Sequence, residues 1–98
     1  MKTGYNRELQ LEEHFVEGKW LLKNGEIVED ENCLRIKWLI QHTLTRITSD
    51  RSGWNILYED LRDKRLWELS YLESDSQGGG PPSLIFISPD DAREKYEI

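Results

Sequence analysis

The sequence predicts an α+β fold. It should form an antiparallel sheet of four to five strands, packed by one long helix over about residues 30–47 and followed by a short C-terminal helix. Three observations predict it. Asn24-Gly25 separates two short apolar runs, which is the strongest hairpin signal a short stretch can carry. Cys33, Ile36, Ile40, Leu44 and Ile47 recur at spacings of three and four, the stripe of one helix face. Trp67, Leu69 and Tyr71 alternate with Leu66, Glu68 and Ser70, as in a strand with one buried face.

The elements follow in order. Residues 1–17 scatter Leu9, Leu11, Phe15 and Val16 among Glu8, Glu12, Glu13 and Glu17, which predicts a short helix or a loosely ordered arm. Gly18 opens a first strand, Lys19-Trp20-Leu21-Leu22, and the Asn24-Gly25 turn joins it to Glu26-Ile27-Val28. Asp30 suits the N-cap of the long helix, with Glu29 and Glu31 near its positive end. Leu39 broadens the helical stripe, and Trp38 lies about a third of a turn from its centre. Thr48 to Gly53 reads as a loop.

Trp54, Ile56 and Tyr58 then alternate with Asn55 and Leu57 as a half-buried strand. A charged turn, Glu59 to Lys64, leads to an antiparallel neighbour over 65–71. Ser74 to Ser83 is a loop. Its Gly78-Gly79-Gly80 run permits positive φ, and Pro81-Pro82 fix an extended approach to the next strand. Such a stiff loop loses little entropy when it docks on a partner. Leu84-Ile85-Phe86-Ile87 is apolar on both faces, so that strand is central or covered by a helix. Ser88-Pro89-Asp90-Asp91 starts a helix over 89–96: Ser caps, Pro takes the first position and the acids complement the dipole. The long helix covers one sheet face, and the other is exposed unless the arm or the final helix lies on it.

Ninety-eight residues make a single domain, 1–98, with one core and little space for a deep internal cleft. Nineteen acids against thirteen bases give a net charge of -6, which repels nucleic acid and attracts a basic protein. The single cysteine, Cys33, cannot form an internal disulfide, as in a reducing compartment. There is no apolar signal segment at Met1–Glu8 and no run of membrane-spanning length. A soluble, cytoplasmic protein is expected.

The spacings argue against most catalytic chemistries. No metal is expected: there is no Cys-x-x-Cys, and His14 and His42 are far apart. Cys33 and His42 fall on opposite sides of one helix, about 180° apart, so they form no dyad. The glycine run is not followed by the Lys-Ser/Thr and helix of a phosphate loop, and no cofactor is expected. Glu59, Glu68 and Glu73 could converge as acid–base carboxylates, but solvated strand ends explain them more simply.

Several short motifs carry a family resemblance. They are Trp20 after Gly18, Glu31-Asn32-Cys33, Ser52-Gly53-Trp54, Leu57-Tyr58, Arg65-Leu66-Trp67-Glu68-Leu69 with Tyr71, Gly78 to Pro82 with Leu84, and Lys95-Tyr96. Together, over about residues 18–96, the chain resembles the immunity protein 27 family, antidotes of bacterial polymorphic toxin systems such as contact-dependent inhibition. Leu72 departs from the pattern, which has Pro after the aromatic residue. The resemblance implies a non-enzymatic inhibitor that binds its cognate toxin domain, a nuclease, as a 1:1 complex in the producing cell. The toxin-binding residues expected from the clustering of acids around the two central strands are Glu59, Asp60, Asp63, Glu68, Glu73 and Asp75, with Trp67. The alternatives are an acidic interaction or regulatory module unrelated to toxins, and a small hydrolase or ligand-binding domain.

Overall fold

The computed structural model describes residues 8–71 and 80–98. Strand β1 (Phe15–Glu17) is followed by β2 (Trp20–Lys23), β3 (Glu26–Glu29) and helix α1 (Glu31–His42). Then come β4 (Leu44–Ser49), β5 (Ile56–Asp60), β6 (Leu66–Ser70), β7 (Ser83–Ile87) and helix α2 (Pro89–Tyr96). β4 to β7 form an antiparallel meander, and β1 adds to the outer side of β7, giving the order β1-β7-β6-β5-β4. β2 and β3 pair only with each other, in a second sheet of two strands. The α+β class and the five-stranded antiparallel sheet match the expectation. The separate hairpin was not foreseen.

Local chemistry explains the elements. The hairpin closes on Asn24 and Gly25, both at positive φ (53° and 80°), as a two-residue turn of the twist-matching kind requires. The Asp30 carboxylate accepts the Cys33 N–H at 2.8 Å and caps α1. The helix ends at His42, five residues short of the expected limit at 47. Thr43 is its C-cap: its backbone leaves the helical region (φ -123°), its N–H makes the last helical bond to the Leu39 carbonyl, and its hydroxyl donates to the same oxygen. After it, Thr45, Ile47 and Thr48 are β-branched and favour a strand. Leu44 is therefore buried in β4 rather than on α1, and Ile47 sits exposed where a bulge interrupts the pairing of β4 with β5. Phe15–Glu17, expected in a helix or loose arm, is instead a strand, with Val16 buried. Ser88 caps α2 through the Asp91 N–H, with Pro89 opening the helix as expected.

The sheet is covered on both sides. Towards α1, the strands bury Tyr58, Trp67, Leu69 and Leu84 against Ile36, Leu39, Leu44, Val16 and Leu9. On the other side Leu57, flanked by Leu66 and Ile87, packs under Ala92 and Tyr96 of α2. No helix among the described residues is long and apolar enough to cross a membrane.

Three motif positions meet at one point between the sheets. The Gly18 N–H donates to the Pro82 carbonyl at 2.9 Å, and the Cys33 thiol donates to the Lys19 carbonyl at 3.4 Å. A Cβ on Gly18 would lie 2.6 Å from the Pro82 oxygen and 2.7 Å from the Cys33 sulfur. Gly18→Ala should therefore lower stability by about 1–3 kcal/mol in urea denaturation, as overpacking does. An unshifted midpoint would mean that the hairpin and β7 separate freely.

Candidate functional site

The expected acidic site centres on the turn between β5 and β6, and its acids build that turn. Asp60, the last residue of β5, is fully buried. Its carboxylate accepts the Arg62 backbone N–H at 3.0 Å and the Arg62 guanidinium at 2.8 and 3.1 Å. Asp63 repeats the pattern, accepting the Arg65 N–H at 3.0 Å and its Nε at 2.8 Å. Burial works to raise the Asp63 pKa, but the Arg65 N–H and guanidinium outweigh it and hold the carboxyl below its ordinary range. Asp60 correspondingly raises the pKa of Arg62.

The free ends of these arginines grip the N-terminal segment. Arg62 donates to the Leu9 carbonyl, and Arg65 donates to the carbonyls of Gln10, Leu11 and Glu13. Arg35 of α1 completes the clamp, with a bidentate pair to Glu13 at 2.7 and 2.8 Å and a bond to the Glu8 carbonyl. That pair, above all, lowers the Glu13 pKa.

The remaining expected residues lie apart. Trp67 is fully buried, edge-on to Phe86 at 6.0 Å, with the Arg65 guanidinium over its ring at 5.0 Å. Glu68 points to the opposite face and is 8% exposed. It accepts the Tyr96 hydroxyl at 2.7 Å and the Lys95 ammonium at 2.6 Å, so it anchors α2. Burial, then the Glu68 carboxylate, pushes the Tyr96 pKa well up. Glu59 is half-buried on β5 between Thr45 and Leu66. Glu73, Asp75, Gly78 and Gly79 lie outside the described residues. Gly80 takes a φ of 74°, and Pro81 and Pro82 run directly into β7. The structure thus joins Asp60, Asp63 and their arginines in one turn, and it separates Glu68 from them across the sheet. Trp67, Asp60 and Glu68 present almost no surface to a partner. No group of three or more His, Cys, Asp or Glu among the described residues is placed to hold a metal ion.

A second feature lies at the other end of the sheet. β2, α1, the end of β6 and the approach to β7 enclose an open cavity of about 230 Å³. Its walls are Trp20, Ile36, Ile40, Leu69, Tyr71 and Pro82, and the Glu29–Lys37 ion pair, at 2.6 Å, stands among them. Beyond it the hairpin exposes Leu22 at 77% and Ile27 at 69%, directly opposite one another. Sequence reasoning missed this surface. The signal was present: Trp20-Leu21-Leu22 is apolar at successive positions, which a strand buried on one face would not require.

The described residues thus offer carboxylates held by arginines, a shallow apolar cavity and an exposed apolar hairpin. The family model described as Immunity protein 27 matches residues 22–88. The chain belongs to the immunity protein 27 family. The match takes in the Glu31, Trp54, Tyr58, Trp67 and Pro82 motifs, while Gly18, Trp20, Lys95 and Tyr96 fall outside it. No curated protein and no solved structure matches the chain.

Proposed function

We propose that this immunity protein neutralises a cognate bacterial toxin by binding its toxin domain one to one in the cytoplasm of the producing cell. It acts by occupancy and carries out no reaction of its own. Membership of the immunity protein 27 family is the observation that carries this reading. The net charge of -6 extends it to the toxin class: a nuclease with a basic substrate cleft is the natural complement of an acidic inhibitor. Glu59, half-buried, supplies charge near the β5–β6 turn, with Glu73 and Asp75 following in the chain, while the Asp63 carboxylate is held by Arg65. Asp60, Glu68 and Trp67 serve by fixing the strands that carry them.

Co-expression tests the function. The toxin domain encoded beside this chain should arrest growth alone and be tolerated when the chain is present. Continued arrest in the presence of folded chain would refute the reading. Glu59→Lys should slow association with that toxin about threefold at low ionic strength, with the difference closing near 0.5 M salt. An unchanged association rate in stopped-flow mixing would remove Glu59 from the steering surface.

A further inference from the structure

We propose that the outer edge of β3 is where the toxin docks, by adding an extended strand of its own to the β2–β3 hairpin. This rests on the immunity reading and names the contact that reading lacks.

The backbone defines the edge. Asp30 N–H donates to the Lys19 carbonyl at 3.0 Å, so that pair is hydrogen-bonded across the hairpin. Antiparallel pairs alternate between bonded and non-bonded. With the observed register, Leu21/Val28 and Lys23/Glu26 are therefore bonded, while Trp20/Glu29 and Leu22/Ile27 are not. The N–H and C=O groups of Ile27 and Glu29 then point outward from β3, away from β2. A sheet of two strands is marginal alone, and a third strand completes it. The exposed Leu22–Ile27 pair supplies apolar area that the incoming strand would bury.

The two edges of the five-stranded sheet are less open to a foreign strand. The bulge between Arg46 and Thr48 interrupts β4, and β1 spans three residues.

Charge selects the occupant. Glu26 and Glu31 stand on the β3 side of the hairpin, beside Glu29, which is paired with Lys37, and Asp30, which caps α1. A second copy paired antiparallel about Val28, the register in which the outward groups of Ile27 and Glu29 meet along β3, would set Glu26 against Asp30, and one paired about Leu21 of β2 would set Lys19 against Lys23. Like charges directly opposite are unfavourable. The fitting occupant is an apolar strand flanked by Lys or Arg, which a basic toxin domain can present.

The probe is the catalytically silenced toxin domain encoded beside this chain. Ile27→Pro deletes an N–H that the hairpin does not use, and Ile27→Thr keeps it. We expect Ile27→Pro to weaken binding at least tenfold, chiefly through faster dissociation, and Ile27→Thr to weaken it less. In the wild-type complex, the Ile27 and Glu29 amides should gain protection from hydrogen exchange, a readout that holds even if Ile27→Pro fails to fold. Wild-type binding with those amides exchanging as in the free protein would overturn the edge assignment and leave the immunity reading intact. Their protection in the chain alone, with a dimer in sedimentation, would assign the edge to a second copy and overturn it too. Failure of the wild-type chain to bind the toxin would overturn the immunity reading and this proposal with it.

Discussion

Trp67→Ala should destabilise the fold by about 4 kcal/mol, as truncation of a fully buried aromatic does. A domain of this size holds roughly 5–15 kcal/mol in total, so the variant should unfold at roughly one fifth to three quarters of the wild-type urea midpoint. The site explains the size of the effect. Trp67 lies on the α1 side of the middle strand of the sheet, paired with Tyr58 on one side and Phe86 on the other. Trp67→Phe should be milder than its lost volume suggests. The Trp67 indole N–H is buried without an acceptor, so Phe removes an unsatisfied donor along with the second ring. If Phe proves as damaging as Ala, the indole N–H has a partner and this packing argument is wrong.

Arg62→Met should cost about 3 kcal/mol although the arginine side chain is 42% exposed. Most of the cost falls on Asp60. Its carboxylate is fully buried, and the substitution leaves it only the backbone N–H of residue 62. The variant also releases the Leu9 carbonyl from the clamp. Combining Arg62→Met with Asp60→Asn should recover about half of the loss, because the buried charge is gone. Additive effects in a double-mutant cycle, measured by chemical denaturation, would show that the two side chains are not coupled.

The elements with local signals were legible in the sequence. Asn24-Gly25 placed the hairpin turn and Ser88-Pro89 the start of α2, because a φ requirement or a cap acts on its own few residues. The end of α1 was not legible from periodicity. Leu44 and Ile47 continue a helical spacing by coincidence, and β4, as a bulged edge strand, lacks the clean alternation that would have marked it. The burial of the acids was not legible for a related reason. Exposure is a property of the folded environment, and nothing in the spacing of Glu68 reveals Tyr96 and Lys95 above it. For Asp60 and Asp63 a local clue existed. Asp60-Leu61-Arg62 and Asp63-Lys64-Arg65 repeat one pattern, an acid closing a turn on the arginine two places later. Such a repeat marks carboxylates already committed to holding backbone.

The pairing of β1 with β7 sets an order of events. Phe15 lies beside Ile85, and Val16 beside Leu84, so the first and last strands of the sheet are neighbours. The meander β4–β7 can assemble from contacts between sequential strands, but the segment around Val16 has no sheet partner until Ser83–Ile87 is in place. On a ribosome that segment emerges early and waits. Closure of the sheet is thus a checkpoint on synthesis: a chain truncated before residue 83 would lack the strand against which Val16 is shielded from water.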